Sequence, residues 1–375
     1  MVLRFASSES ALPPKLATSV RSSPAPASGT RADSDFAERV IDWQRRHGRH
    51  DLPWQQSRDP YAVWVSEIML QQTQVATVIP YFRRFMASFP DVSVLAHAEP
   101  DAVMKHWSGL GYYSRARNLH AAAQLLVSRF DAKFPRDPHT IAALPGIGRS
   151  TAGAIAALSF GVPGAILDGN VKRVLCRVFG IEGDPGSSAT LRALWSLAER
   201  LVPAREVEAY TQGVMDLGAM LCLRRAPKCD LCPVHAACVA RSQGRIGELP
   251  RARVRRPRPE RSVAMLVLHH AARVLLQKRP PAGIWGGLWC FPEAELDDDP
   301  AAVCMQRFGA RGVQIASLPT LEHGFTHFRL RIHPVRVEIA ELSDQAAEPG
   351  TVWLALEEAR TAAIPTPVRK LLEGA

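Results

Sequence analysis

The sequence predicts a protein of two domains, an all-α domain followed by a mixed α/β domain. Its 375 residues exceed what one ordinary domain usually contains. Apolar residues recur at helical spacing through residues 34–240, whereas from residue 262 onward they alternate as they do in strands. Between these regions, residues 241–261 carry eight arginines and almost no large apolar side chains, so we expect a basic, extended linker there.

Composition excludes several classes of protein. Hydrophobic residues make up 47% of the chain and charged residues 22%, which excludes a wholly disordered or collagen-like chain. No apolar run reaches the roughly 18 residues of a membrane helix, so no membrane association is expected. The net charge of +10 lies before residue 262, since residues 262–375 carry 11 basic and 13 acidic side chains. This distribution favours a polyanionic partner, although free use of arginine by a GC-rich genome would also explain it.

The first 33 residues predict a disordered tail, because they are rich in Ser, Pro and Ala and lack apolar periodicity. They contain no apolar core of a secretory signal. We expect a cytoplasmic protein, associated with the nucleoid in a bacterium, or one of an organelle or the nucleus in a eukaryote. Ordered structure should begin near Asp35, which forms a capping box with Glu38.

Helix signals then follow one another along residues 34–240. Asp59 and Pro60 mark one helix start, since an N-capping side chain is followed by proline in the first turn. The sequence predicts other helices at residues 138–144, 150–160, 171–179 and 190–202.

A tight turn joins two of these helices, so residues 138–160 predict a helix–hairpin–helix. Gly146 and Gly148 permit backbone conformations that other residues resist. They also let backbone N–H groups approach a phosphate at a helix N-terminus, with Arg149 alongside. An ordinary turn is the alternative.

Four of the seven cysteines lie within 17 residues, which indicates a metal site rather than a secreted disulfide framework. Zinc is the generic alternative for four thiolates, but zinc ribbons usually have two C-x₂-C knuckles and this segment has one. The four are Cys222, Cys229, Cys232 and Cys238. We expect the remaining Cys176, Cys290 and Cys304 to be ordinary buried thiols.

Together these motifs resemble the helix–hairpin–helix DNA glycosylases, in particular the adenine DNA glycosylase (MutY) family. The resemblance covers roughly residues 35–372. It rests on the cysteine cluster and on LPWQ (52–55), SEIMLQQTQV (66–75), GLGYYSRARNLH (109–120), LPGIGRSTAGAI (144–155) and ILDGNVKRVL (166–175). It implies a glycosylase domain with a [4Fe–4S] cluster in the loop 222–238, and a monomer acting on double-stranded DNA that contains A:8-oxoG or A:G mispairs.

Two carboxylates are the candidate catalytic groups. Glu67 shares a helix face with apolar side chains, so burial should raise its pKa. Asp168 precedes a helix, where a cap is the ordinary role, and a buried structural glutamate is the alternative for Glu67. The resemblance implies that Glu67 protonates adenine N7 and that Asp168 stabilises the oxocarbenium-like sugar. It also implies that Asn170 orients Asp168 or the water and that Ser150 lines the site.

Ser150 occupies the position of the Schiff-base lysine in relatives that resemble endonuclease III. An alcohol cannot form an imine with the deoxyribose aldehyde, so the sequence predicts base removal without efficient strand cleavage. Lys172 is an amine nearby in the motif that would support weak lyase activity.

A further set of residues is expected to read the DNA, because a glycosylase must extrude its target base and fill the gap. Gln71, Gln72 and Thr73 suit such contacts, because amides hydrogen-bond bases. The family match assigns positions around 8-oxoguanine to Gln72, Leu110 and Tyr112, although a core aromatic is the alternative for Tyr112. Phosphate contacts are expected for Arg115, Arg117 and Lys172, and for the cluster-loop side chains Arg224, Arg225 and Lys228; surface solvation is the alternative for the first three. Trp54 would line the adenine pocket or belong to the core.

The second domain, residues 262–375, is similar to the MutT-like domain of these glycosylases and should open with a β-hairpin. No glutamate-rich helix follows Pro292, so we predict a Nudix-like fold without diphosphate hydrolysis. Phe325, Thr326 and His327 match the family's Phe-Ser-His loop, which implies recognition of the 8-oxoguanine strand. A structural histidine in a strand is the alternative.

The sequence therefore predicts a monofunctional adenine DNA glycosylase of base excision repair. Three alternatives are a bifunctional glycosylase/lyase, a catalytically inactive DNA-binding protein with a zinc-stabilised fold, and a nucleotide-pool hydrolase. Ser150 argues against the lyase, and the two carboxylates argue against an inactive protein. The missing acidic helix argues against the hydrolase.

Overall fold

The computed structural model describes residues 31–251, 257–343 and 348–374. Its first part is helical. The helices are α1 (Arg31–His47), α2 (Pro60–Leu70), α3 (Val75–Ser88), α4 (Val92–His97), α5 (Pro100–Trp107), α6 (Ser114–Phe130), α7 (Pro138–Ala142), α8 (Arg149–Phe160), α9 (Gly169–Val178), α10 (Ser188–Leu201), α11 (Val207–Asp216) and α12 (Val239–Ser242). A π-helical segment, Leu217–Leu221, extends α11, and 3₁₀ turns lie at Pro53–Gln55, Cys229–Leu231 and His235–Ala237.

The first helix begins earlier than the capping box predicts. It starts at Arg31, and Asp35 lies inside it and pairs with Arg39 at 3.0 Å. Asp33 is buried and pairs with Arg200 of α10 at 3.5 Å. This tertiary contact extends the helix N-terminally, so the predicted tail boundary at residue 33 is wrong; residues 1–30 lie outside the described residues.

The other helix predictions are confirmed to within two residues, because local caps set the boundaries. Asp59 accepts a hydrogen bond from the Tyr61 N–H at 3.1 Å, and Asp137 accepts from Thr140 N–H at 2.8 Å. Ser187 caps α10 in the same way. The predicted linker 241–261 is shorter in the structure, since α12 ends within it and a strand begins at residue 260; residues 252–256 of that linker lie outside the described part of the chain.

Two apolar clusters hold the helical part together. Trp64 and Trp107 are fully buried in the first, and Val40 is fully buried in the second. Helix α8 contributes to both, with Ile155 in the first cluster and Ala154 in the second. It therefore packs between the layer that contains α2 and the layer that contains α9, and these two helices carry the candidate carboxylates.

The second domain is a mixed sheet with helices, which confirms the predicted fold class. Its elements are β1 (Glu260–His270), β2 (Arg273–Lys278), β3 (Trp289–Cys290), β4 (Glu293–Ala294), α13 (Pro300–Phe308), β5 (Ala310–Ser317), β6 (Leu321–Gly324), β7 (Arg329–Leu342), β8 (Thr351–Ala355), α14 (Leu356–Thr361) and α15 (Thr366–Glu373). The strand order along the main path is β3-β2-β1-β7-β5. The strands β1 and β2 form the predicted antiparallel hairpin, and β1 pairs in parallel with β7.

Strand β1 is buried on both faces because it lies at the centre of this sheet. Met265 and Val267 face the first apolar cluster, whereas Leu266 and Leu268 face a third cluster with Cys304 of α13. Cys304, like the other two scattered thiols, is buried as predicted. Within the described residues, no helix is long and apolar enough to span a membrane.

Candidate active site

A cavity of about 470 Å³ opens between α2, the end of α8 and α11. Glu67 of α2 and Trp54 line it together with Leu158. Trp54 is only 6% exposed and packs edge-on against Phe82 at 5.4 Å between ring centroids. Trp54 is therefore a core residue that also forms part of the wall of the cavity.

Glu67 is the acidic group in the wall of this cavity. Burial and, to a lesser extent, the nearby negative charge of Asp168 together raise its pKa to about 7. A carboxyl group with that pKa is half protonated at neutral pH and serves as a proton donor. The effect of Asp168 shows that the two candidate carboxylates lie within electrostatic reach of each other.

Asp168 immediately precedes α9 and is not one of the residues that line this cavity. Its Oδ1 atom accepts a hydrogen bond from Val171 N–H at 2.7 Å, so it is the N-cap of the helix. Partial burial raises the pKa of Asp168. Hydrogen bonds from the Val171 and Asn170 N–H groups, and the positive charges of Arg173 and Lys172, oppose this increase. Asp168 is therefore both a cap and a carboxylate in an environment unlike that of Glu67.

Ser150 and Asn170 flank Asp168 in different ways. The Ser150 hydroxyl accepts a hydrogen bond from Leu167 N–H at 2.9 Å, which ties the start of α8 to the segment before Asp168. The Asn170 side chain turns away, because its Oδ1 atom accepts from Arg173 at 2.9 Å. Arg173 also donates to the Cys222 carbonyl at 2.7 Å. The backbone N–H of Asn170, rather than its amide, orients Asp168.

The four clustered cysteines surround one small cavity of about 30 Å³. All four thiols are free, and Arg177 approaches Cys222 Sγ at 3.5 Å. Burial and the neighbouring thiolates raise the pKa of Cys232 to about 11, so a compensating cation is needed to hold all four as thiolates. Among the described residues, no three His, Cys, Asp or Glu side chains meet closely enough to hold a single metal ion.

The glycine turn between α7 and α8 has the predicted helix–hairpin–helix form. Gly146 has a φ of +75°, and a Cβ atom there would lie 2.6 Å from the Asn118 side chain. Gly148 begins α8 and has open space where a Cβ would lie. Arg149 forms an ion pair with Glu199 and lies 4.0 Å above the Trp195 ring, so DNA would compete with Glu199 for it. Lys172 is half-buried.

Two loops carry the predicted lesion-reading residues. Gln72 and Tyr112 both have positive φ, of 59° and 49°, and Tyr112 is 45% exposed. Thr73 is half-buried, and the Gln71 amide bonds Thr151 of α8 at 3.3 Å. Leu110 differs from the prediction, because its side chain is 6% exposed and packs in the first apolar cluster beneath the loop.

Arg115 is a structural clamp between these loops, so its prediction as a phosphate contact is wrong. It is 8% exposed and one of its nitrogens donates to the Ile68, Met69 and Gln71 carbonyls at 2.7 to 2.8 Å. Its other terminal nitrogen bonds the Gly111 carbonyl at 3.1 Å. Arg117 is half-buried and its guanidinium bonds the Gly286 carbonyl of the second domain, and its contact with phosphate stays a prediction.

The second domain faces the loop of Tyr112 across a cleft of about 670 Å³. Phe325, Thr326 and His327 line one wall, and Thr326 and His327 are exposed. The Tyr112 and Thr326 hydroxyls are 2.9 Å apart and form a hydrogen bond across the cleft. Phe325 stacks on Phe328, with 4.5 Å between centroids. The cleft therefore offers aromatic faces and hydroxyl groups.

Sequence reasoning missed several residues of these sites. Gln55 and Gln212 line the cavity of Glu67, and an ion pair between Arg58 and Glu208 lies at its edge. Gln55 belongs to the LPWQ motif and its position could have drawn attention. Gln212 is buried in the middle of α11 and carries no local signal.

Comparisons with known proteins agree with this arrangement. A family model described as HhH-GPD superfamily base excision DNA repair protein matches residues 65–200, and a NUDIX domain model matches residues 263–374. An adenine DNA glycosylase of Buchnera aphidicola subsp. Acyrthosiphon pisum (strain APS) is 36% identical over 340 residues, which cover 90% of this chain and 97% of that protein. The adenine DNA glycosylase of Rattus norvegicus is 36% identical over 400 residues, covering 90% and 77%. A solved structure of a thermostable thymine-DNA glycosylase is 30% identical and covers 56% of this chain and 95% of its own, with a TM-score of 0.51.

Proposed function

Because the chain belongs to the adenine DNA glycosylase family, and is thus a base excision repair glycosylase, we propose that it hydrolyses the N-glycosidic bond of adenine mispaired with 8-oxoguanine or guanine. The observation that carries the proposal is Glu67, whose pKa is about 7, in the wall of a base-sized cavity beside Trp54. Asp168 lies within electrostatic reach of it.

The proposed mechanism divides the work between the two carboxyl groups. The target adenine leaves the stack and enters the cavity, where protonated Glu67 donates to N7 and makes the base a better leaving group. As the bond from C1′ to adenine N9 breaks, Asp168, as a carboxylate, stabilises the positive charge that develops on the sugar. A water molecule then adds to C1′ and gives up a proton, which completes the hydrolysis. Gln55 and Gln212 line the cavity with amides that bond the protein itself, Gln55 to Leu52 N–H and the Arg49 carbonyl and Gln212 to Asp216. Ser150 offers no amine, so a Schiff base at that position is not formed.

We further propose that the interdomain cleft reads the base opposite the adenine. Tyr112 supplies an exposed aromatic face on one wall, and Thr326 supplies an exposed hydroxyl on the other. Such groups can stack on a base and hydrogen-bond its edge. Helix α13 carries no carboxylate, which supports recognition rather than diphosphate hydrolysis in this domain.

Thr326→Val tests the hydroxyl of this wall. The substitution keeps the side-chain shape, so we expect excision opposite 8-oxoguanine to slow by roughly three- to ten-fold, with excision opposite guanine unchanged. Single-turnover rates on the two duplexes measure this. Thr361→Val, at an exposed position of α14, is the matched control, and an equal loss in both variants would contradict the role of Thr326.

For the cysteine loop we propose a [4Fe–4S] cluster held by Cys222, Cys229, Cys232 and Cys238. Four free thiols around one cavity, with Arg177 near Cys222 Sγ, fit such a group in their donor chemistry. The cluster would supply a structural anchor for the loop, since glycosidic hydrolysis needs no redox step. Arg224, Arg225 and Lys228 are exposed on the same loop and would contact phosphates.

Cys232→Ser should remove most of the iron and lower the stability of the first domain by several kcal/mol, because the cluster binds only the folded loop. Iron per protein, visible absorbance and thermal unfolding measure this. Cys304→Ala changes a buried thiol of the second domain and should retain the iron. Purified protein that contains zinc in place of iron would contradict the cluster proposal.

The proposed partner is double-stranded DNA, bound by a monomer at the nucleoid of a bacterial cell. Basic residues of the hairpin and cysteine loop support this, together with the net charge of +10.

A panel of duplexes tests the proposed function. Adenine opposite 8-oxoguanine, opposite guanine and opposite thymine, and thymine opposite guanine, are incubated with excess protein and developed with and without hot alkali. We expect cleavage of the adenine strand in the two mispairs, and only after alkali. Cleavage without alkali would favour a lyase that uses Lys172, and cleavage of the thymine strand would favour the activity named for the similar solved structure.

A further inference from the structure

The loop that carries Tyr112 is attached to the second domain at its base as well as at its tip. Ser108 ends α5 and is 9% exposed. Its hydroxyl donates to the Ile364 carbonyl at 2.6 Å and accepts from Arg369 Nη2 at 3.1 Å. Ile364 precedes α15, and Arg369 lies within it. One buried hydroxyl therefore makes two hydrogen bonds across the domain boundary.

Helix α5 is held against the second domain at its other end too. Asp101, in its first turn, accepts hydrogen bonds from Lys278 at 2.6 Å and from the Trp289 indole at 3.2 Å. The backbone N–H of Trp289 donates to the Ala363 carbonyl at 2.9 Å, and Ala363 is next to Ile364, the partner of Ser108. The helix is thus docked at both ends on one continuous part of the second domain.

The short loop after Ser108 has a fixed internal shape, so its base determines where its tip lies. The Tyr81 hydroxyl donates to the Ser108 carbonyl at 3.0 Å, and Gly109 N–H donates to the Tyr113 hydroxyl at 3.2 Å. Gly109 has a φ of +95°, and a Cβ there would lie 2.3 Å from the Tyr81 hydroxyl. Ser108 therefore holds the start of the loop, and Arg115, which bonds the Gly111 carbonyl, holds the part next to Tyr112.

We propose that Ser108 and Arg369 are positioning residues for lesion selectivity, because they fix the Tyr112 loop relative to the loop of residues 325–327 across the cleft. The inference rests on the proposed function, in which this cleft reads the base opposite adenine. A hydrogen bond to a base weakens steeply when donor and acceptor move by a fraction of an ångström. The cavity of Glu67 is lined by other elements, so loosening this contact lowers selectivity without lowering the basal rate.

The test is the ratio of single-turnover excision rates for A:8-oxoG and A:G duplexes, measured with the full-length chain. Ser108→Ala and Arg369→Ala should each lower the ratio roughly ten-fold through the A:8-oxoG rate alone. The double variant should fall no further than Ser108→Ala, because that substitution already removes both the bond from Arg369 and the bond to the Ile364 carbonyl. Arg360→Ala is the matched control, because Arg360 bonds the Leu372 carbonyl and Glu357 within the second domain.

Thermal unfolding of each variant separates positioning from stability. If Ser108→Ala does not fold, Arg369→Ala carries the test, since that side chain is only half-buried. Unchanged ratios in both variants would overturn the inference, and so would additive losses or an equal loss in Arg360→Ala. A wild-type chain that excises adenine equally from both duplexes would overturn the proposed cleft function and this inference together.

Discussion

Asp168→Asn should abolish excision while the protein still binds mispaired DNA. Asn is as good an N-cap as Asp, so the hydrogen bond from Val171 N–H and the start of α9 are retained. What is lost is the negative charge beside the developing oxocarbenium ion. We expect the single-turnover rate to fall by at least about 10³-fold, the range found when an electrostatic group of a transition state is removed. Rapid-quench excision and a DNA-binding titration measure the two properties.

The matched control for this variant is Asp91→Asn. Asp91 caps α4 through a hydrogen bond from Val94 N–H at 2.9 Å, and it is not one of the residues that line the cavity. It tests the same chemical change at a cap without a catalytic role. A rate for Asp168→Asn within a few-fold of that for Asp91→Asn would show that Asp168 is a cap alone.

Glu67→Gln should remove the proton donor and with it the pH dependence of the rate. In the proposed mechanism the protonated form of Glu67 is active, and its pKa is about 7. The wild-type rate should therefore fall about ten-fold per pH unit above that value, while protonation of Asp168 lowers it on the acid side. The variant should be slower by roughly 10² to 10⁴ and lose the alkaline decline. An alkaline limb that persists in Glu67→Gln would assign the titration to another group.

The same substitution should stabilise the protein above neutral pH. The folded-state pKa of Glu67, about 7, lies above the ordinary value of 4.5, so folding favours the protonated form. This contribution is complete below the unfolded pKa and is lost as pH rises through the folded one. Glu67→Gln should therefore raise the free energy of unfolding by up to about 3 kcal/mol near pH 8 and leave it unchanged near pH 4. Denaturant titrations at both pH values measure the difference, and equal effects at the two would contradict a buried Glu67.

The sequence predicts those structural features that depend only on neighbouring residues. Asp59 caps the helix that it was expected to cap, because the capping hydrogen bond involves residues two apart. The pKa of Glu67 follows the same logic, since its apolar helix neighbours already imply burial. The turn of residues 146–148 was predictable for the same reason, because glycine permits the positive φ that Gly146 adopts.

Contacts between residues that are far apart in the chain could not be predicted from local sequence. Arg115 is surrounded by carbonyl groups from residues 68–71, which a sequence window around it does not contain. Arg117 bonds a carbonyl 169 positions away, and Asp33 is buried by Arg200. Gln212 joins the cavity only because α11 packs beside α8. From sequence alone, an arginine is expected to contact solvent or a phosphate. Tertiary packing instead buries Arg115 among backbone carbonyl groups, where it holds two loops together.

The most direct test of the two-carboxylate account is the identity and amount of base released from one duplex. A duplex with a single adenine opposite 8-oxoguanine is incubated with excess wild-type protein and, in parallel, with Asp168→Asn, and the released bases are quantified by mass spectrometry. The account predicts one free adenine per duplex from the wild type and essentially none from the variant. Release of a different base, or equal release of adenine by the two proteins, would contradict it.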